Sequence, residues 1–140
     1  MLGADTTTHS MSKNILIADD SRTMRRVLKG LLQARGNLTV CGEASNGFEA
    51  VEKAKELRPD LVLLDVAMPQ MNGVEAASVL KTMLPKTLVI LFTMHGGRIG
   101  QALSSAVGAD LVISKREGLW RLIEAADDLL RLGTPRGTEN

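Results

Sequence analysis

The sequence predicts an α/β domain: a five-stranded parallel sheet, doubly wound by helices in a (βα)5 order. Three observations carry that prediction. Short aliphatic runs alternate with longer segments of helical periodicity, five times over. The clearest runs are nearly continuous in Ile, Leu and Val, as strands are when a sheet is covered on both faces. Four of them end on a reactive polar side chain, and open parallel sheets gather ligands outside the carboxyl ends of their strands.

The first strand, Ile15-Leu16-Ile17-Ala18, runs into Asp19-Asp20. Helical periodicity follows from Ser21 to Arg35. It places Met24, Val27, Leu28, Leu31 and Leu32 on one stripe, with Arg22, Arg25, Arg26 and Lys29 largely outside it. Asp20 or Ser21 suits the cap, and Gly36 suits the C′ stop. Leu38 to Ala44 is a short second strand. The second helix spans Gly47 to Arg58 through Phe48, Val51, Ala54 and Leu57, with Asn46 as cap and Pro59 as stop.

The third strand, Leu61-Val62-Leu63-Leu64, ends on Asp65. Met68 to Gly73 is a loop, since Pro69 and Asn72-Gly73 break both periods. Val74, Ala77, Leu80 and Leu84 mark the third helix, which ends near Pro85. Leu88 to Phe92 is the fourth strand, ending on Thr93. Ile99, Ala102, Leu103, Ala106 and Val107 mark the fourth helix, ended by Gly108. Leu111-Val112-Ile113-Ser114 ends on Lys115, and Leu119, Leu122, Ile123, Ala126, Leu129 and Leu130 mark the fifth helix.

At 140 residues the chain has room for one domain with a core of two or three layers. Seventeen basic and sixteen acidic residues leave a formal charge of +1. No basic surplus suggests nucleic acid, and no acidic block suggests a solvating tail. The single Cys41 cannot form an internal disulfide, which fits a reducing, cytoplasmic setting where the sequon Asn37-Leu38-Thr39 has no meaning. Residues 1–13 are polar and Thr-rich, with no stretch suited to a signal peptide or a membrane span. They read as a mobile tail, with Met11 an alternative start. Residues 133–140 read as a loose end, leaving 14–132 as the folded domain.

At the shared edge, Asp19, Asp20 and Asp65 should face one another. Neighbouring like charges repel by about 1 to 4 kcal/mol per pair, so such a cluster calls for a cation. Hard oxygen ligands, few in number and shared with a phosphate, are what Mg²⁺ prefers. Lys115 offers a compact positive charge for Asp65 or a phosphoryl oxygen, and Thr93 offers a hydroxyl. Taken singly, paired acids at a strand end often only cap a helix, and a Thr or Lys there is commonplace. Their coincidence at one edge is what points to a phosphoryl-accepting site.

From about Lys13 to Arg131 the chain resembles the receiver domain of two-component response regulators, whose fold is flavodoxin-like. Asp19-Asp20, Asp65 with Met68-Pro69 and Asn72-Gly73, Thr93, and Gly108-Ala109-Asp110 leading to Lys115 carry the resemblance. It implies that Asp65 accepts a phosphoryl group from a sensor histidine kinase or phosphotransfer protein, forming an acyl phosphate. Asp20, Asp65 and the Ala67 backbone carbonyl would ligate Mg²⁺ directly, and Asp19 through water. Thr93 and Lys115 would bind phosphoryl oxygens. The resemblance implies a signalling domain that promotes only its own phosphorylation and dephosphorylation. Its output would pass to a downstream partner, or a second copy, through the face of the fourth helix, fifth strand and fifth helix. Trp120 lies at the start of that face, as a rim residue of the core or as a binding anchor.

Three positions depart from the family's common pattern. Val112 stands where an aromatic is usual, Met94 where a small residue is usual, and Arg116 where many relatives have Pro. Ala67 and His95 fill two variable positions flanking the acceptor; His95 reads equally as an exposed loop residue, and His9 as part of the tail. Two other classes are weaker. Gly96-Gly97-Arg98-Ile99-Gly100 superficially cradles phosphate but lacks the G-x-G-x-x-G spacing and does not follow the first strand. An aspartyl phosphatase of the haloacid dehalogenase type needs a second acid where this chain has Ala67. The stretch after Leu132 is too short for a helix-turn-helix, so no DNA binding is expected by that route.

Overall fold

Five parallel strands form one sheet in the computed structural model, which describes residues 12–94, 102 and 107–133. They are β1 (Lys13–Ala18), β2 (Leu38–Ala44), β3 (Leu61–Asp65), β4 (Leu88–Thr93) and β5 (Leu111–Ser114), in the order β2-β1-β3-β4-β5. The described helices are α1 (Arg22–Gln33), α2 (Gly47–Leu57), α3 (Gly73–Met83) and α4 (Leu119–Leu132), with a 3₁₀ turn at Lys115–Glu117. Thus α4 is the fifth helical segment of the sequence. The fourth, Ile99 to Val107, lies outside the described residues except for Ala102 and Val107, both helical. The chain starts in mid-sheet, steps out to β2, then returns past β1 to β3, so the order turns between β1 and β3. Crevices form at such points.

Side chains alternate across a strand, and the aliphatic runs use both faces. Ile15, Ile17, Leu61, Leu63, Ile90, Phe92 and Ile113 pack on one side with Leu28 and Leu32 of α1 and Leu122, Ile123, Ala126 and Leu129 of α4. Leu16, Ala18, Val62, Leu64, Val89 and Leu91 pack on the other with Ala50, Val51 and Ala54 of α2 and Ala76, Ala77 and Leu80 of α3. Each fully buried Leu or Ile side chain contributes about 1.5 to 3 kcal/mol by leaving water, so this double layer fixes the strand register. No described helix is long and apolar enough to cross a membrane.

Helix starts follow the capping chemistry. Ser21 Oγ accepts from the Met24 N–H, and Asn46 Oδ1 from the Glu49 N–H. Asn72 proves to be a cap rather than a mere breaker, in a reciprocal box with Glu75. Each such cap contributes about 1 kcal/mol. Gly36 does adopt a left-handed φ of 82°, but two residues beyond the Ala34 cap rather than immediately after it. Composition puts Lys13 in the tail, yet β1 begins there, and the Lys13 N–H donates to the Asn37 carbonyl.

Some stripe positions differ from expectation. Val27, Phe48 and Leu57 are 41%, 56% and 38% exposed. The stripe of α2 is centred on Ala50, Val51 and Ala54. At about 100° per residue, Phe48 falls at its margin, outside the close approach that the alanines allow.

Candidate functional site

β1 and β3 lie side by side where the strand order turns, and each delivers acid to the carboxyl edge. Asp19 and Asp20 follow β1 directly; Asp65 closes β3. Asp19 and Asp65 are buried and Asp20 is exposed, yet one oxygen from each lies within 4.8 Å of the others. Lys115 reaches in from just past β5, its Nζ 3.2 Å from Asp65 Oδ1 and 3.5 Å from Asp19 Oδ2. The ammonium also lies 5.0 Å from the centroid of the Phe92 ring. Thr93 is the buried last residue of β4, in register with Ser114 of β5. Asp19, Asp20, Asp65 and Lys115 therefore converge as anticipated, with Thr93 at the same edge.

Backbone contacts hold these groups in place. The Asp19 N–H donates to the Ala44 carbonyl of β2, and Asp19 Oδ1 accepts from the Ser21 N–H at 2.8 Å, tying the acid into the cap of α1. Beyond β3, the Val66 N–H donates to the Phe92 carbonyl, and the Gly73 N–H to the Val66 carbonyl. The Gly47 N–H donates to the Met71 carbonyl, pinning the loop from the neighbouring helix. A Cβ on Gly73 would lie 2.2 Å from the Asp65 carbonyl oxygen, and one on Gly47 2.1 Å from that of Met71. Only glycine permits such approaches. Ala67 follows Asp65 closely enough for its N–H to meet Asp65 Oδ1 at 3.4 Å.

The electrostatics are unbalanced. Burial, and then the charge of Asp19, push the Asp65 carboxyl above the usual aspartate range, while Lys115 and the Ala67 N–H work against them. Asp19 Oδ2 is buried and makes no hydrogen bond, despite Lys115 at 3.5 Å. A buried carboxylate oxygen without a donor is costly. Three hard oxygen donors in close reach, one of them so left, fit a small divalent cation such as Mg²⁺.

Arg25 and Glu43 form a further pair at this edge that the sequence alone does not mark. Periodicity puts Arg25 among the cations outside the apolar stripe of α1, yet its side chain is only 15% exposed. Its Nη1 donates to the Asp19 carbonyl at 2.7 Å and its Nε to Glu43 Oε1 at 2.9 Å. The only sequence signal is its place one turn into a helix that starts beside the acids.

The departing residues divide. Met94 is exposed past β4, Val112 is half-buried in β5, and Arg116 is exposed in the 3₁₀ turn. His9, His95 and the Gly96 to Gly100 segment lie outside the described residues. Trp120 is 61% exposed, so it is not a core residue. The Arg35 guanidinium lies 5.2 Å from its ring centroid, and Arg35 also pairs with Asp127. Trp120 therefore stands on the flank of α4 that faces the end of α1.

Comparisons with known proteins agree with this geometry. The family model for the response regulator receiver domain matches residues 15–127. The chain is 39% identical over 115 residues to the chemotaxis protein CheY of Thermotoga maritima, covering 82% of this chain and 95% of that protein. The match spans well under half the length of several methylesterases and of a transcriptional regulator that are also similar. Among solved structures, the response regulator domain of Thermotoga maritima CheB superposes with a TM-score of 0.76 at 32% identity, covering 86% of this chain and 94% of that one. A chain of the CheX–CheY–BeF3–Mg complex from Borrelia burgdorferi gives a TM-score of 0.72 at 26% identity, covering 79% and 84%.

Proposed function

This chain belongs to the response regulator receiver domain family, a signalling family, and from that premise we propose that Asp65 is its phosphoacceptor, within a working unit of residues 13–132. The observation that carries the reading is the meeting of Asp19, Asp20 and Asp65 with Lys115 at one sheet edge. A carboxylate oxygen of Asp65 attacks the phosphorus of a phosphohistidine on a sensor kinase or phosphotransfer protein. The new P–O bond forms as the P–N bond breaks, and the imidazole leaves with the electron pair. The product is an acyl phosphate on Asp65.

Phosphoryl transfer depends on positioning and charge neutralisation more than on covalent help from the protein. Lys115 offsets charge on the incoming oxygens, and the Thr93 hydroxyl donates to one of them. Asp20, Asp65 and the Ala67 carbonyl would hold Mg²⁺, with Asp19 acting through water. When bound, the ion neutralises phosphoryl charge and relieves the carboxylate repulsion. That a similar chain occurs in a complex with BeF3 and Mg supports this reading. The chain acts on its own phosphoryl group alone, in the cytoplasm.

The added charge then shifts the population of conformers that bind a downstream partner or a second copy. The output surface is the face built by the fourth helical segment, β5 and α4. With Val112 in β5, the usual coupling of Thr93 to an aromatic cannot operate in its common form, which leaves a swing of the segment after Thr93 as a route for the signal. The decisive experiment is labelling by acetyl phosphate with and without Mg²⁺. Wild type should label only with the ion and Asp65→Asn not at all; wild-type labelling of Asp65→Asn overturns the assignment.

A further inference from the structure

We infer that Arg25 is a positioning residue for the cation site, acting through the peptide that joins Asp19 to Asp20 and braced by Glu43. This rests on the reading of the acids as a Mg²⁺ site. The carbonyl that Arg25 Nη1 holds at 2.7 Å belongs to Asp19, and so to the planar peptide that carries Asp20 on its other side. Fixing that oxygen fixes the plane, and with it the direction from which Asp20 leaves the chain. The opposite end of Asp19 is tied to β2 by its N–H on the Ala44 carbonyl. The two acids are thus suspended between β2 and α1.

The brace is specific to arginine. Its planar fork presents Nη1 to the carbonyl and Nε to Glu43 Oε1 at once. Glu43 is itself anchored: it pairs with Ile17 in the β1–β2 register, and Lys53 Nζ donates to its carbonyl. The guanidinium end of the pair is largely covered and the carboxylate half-buried, with side-chain exposures of 15% and 35%. Arg25 touches no carboxylate of the acidic cluster within ion-pairing distance. Its effect in favour of the cation is therefore through geometry alone, since its own positive charge repels the ion.

Groups that orient metal ligands typically change metal affinity by about 10- to 100-fold when removed. The test is Mg²⁺ titration by calorimetry on the full chain, for wild type, Arg25→Ala, Arg25→Lys and Glu43→Gln, with thermal melts alongside. Arg25→Ala should bind Mg²⁺ about 10-fold more weakly. Arg25→Lys keeps the charge but cannot span both acceptors, so most of the loss should persist. Glu43→Gln keeps an acceptor oxygen and should lose less. In acetyl phosphate labelling, Arg25→Lys should raise the half-saturating Mg²⁺ while the rate at saturating ion stays near wild type. Wild-type Mg²⁺ affinity in folded Arg25→Ala, or in Arg25→Lys should the alanine variant not fold, overturns the inference alone. If wild type binds no Mg²⁺, the reading of the acids falls, and the inference with it.

Discussion

Lys115 Nζ stands 3.2 Å from Asp65 Oδ1 and 3.5 Å from Asp19 Oδ2, one ammonium between the two buried carboxylates of the site. It answers Asp65 and Asp19 together, and it enters from a strand two places away from β3. Removing it takes from both acids the cation that ion-pairs with them in a water-poor site. Breaking a buried pair from one side typically costs about 3 kcal/mol or more. Lys115→Ala should therefore be destabilised by about that amount in urea denaturation at neutral pH, with the deficit shrinking as the medium is acidified. It should still label partly with acetyl phosphate yet lose phosphorylation-dependent partner binding, as should Thr93→Ala. Wild-type partner binding by both variants would break the proposed coupling.

Asp65→Asn should stabilise the protein without ligands. The folded carboxyl titrates above its unfolded value, chiefly through burial and then through Asp19. The sign follows from linkage: Asp65 contributes most to stability below the unfolded pKa, near 3.9, and that contribution is lost as pH rises through the folded pKa. At neutral pH the ionised form is a net cost that the amide does not bear. With EDTA present, the melting temperature of Asp65→Asn should exceed wild type by a few degrees at pH 7. The gap should close as pH falls towards 4. A lower melting temperature for the variant at pH 7 would mean that Lys115 outweighs burial.

Gly73→Ala should damage both the fold and the site. The added Cβ meets the Asp65 carbonyl oxygen at 2.2 Å, and backbone on both sides leaves no flexible atom to yield. Overpacking of this kind costs about 1 to 3 kcal/mol. Urea midpoints should fall accordingly, and labelling should slow even where the variant is folded. Gly30→Ala is the control, since nothing lies within 4 Å of a Cβ there. It should be neutral or stabilising, as alanine is the better helix former.

Trp120→Ala should weaken the association of the phosphorylated chain with its partner or with a second copy, leaving Asp65 labelling intact. The ring is 61% exposed and held by Arg35, so it is preorganised yet available. Arg35→Ala should release it and change its fluorescence. Unchanged affinity in folded Trp120→Ala would exclude the α1-facing flank of α4 from the output surface and leave the face at β5 to carry it.

The sequence by itself determined the layers and the identity of the acids. Five aliphatic runs and the periodic segments between them allow little but a covered parallel sheet, since every other layering exposes a face of these runs to water. The strand-end positions of Asp19, Asp20, Asp65, Thr93 and Lys115 could be read directly, because a strand's last residue and the sheet's functional edge coincide by topology. Capping was also legible at Ser21 and Asn46, being a short-range bond between neighbours. Other features were decided only by the tertiary structure. Phe48 and Val27 turn outward because the exact axis of a packed helix depends on its neighbours, not on its own period. Arg25 looks like any surface cation until β2 brings Glu43 beside it. Trp120 faces the end of α1 only because Arg35 and Asp127, 92 residues apart, meet there. Local periodicity records which residues avoid water; it holds no record of which distant charge will complete a side chain's hydrogen bonds.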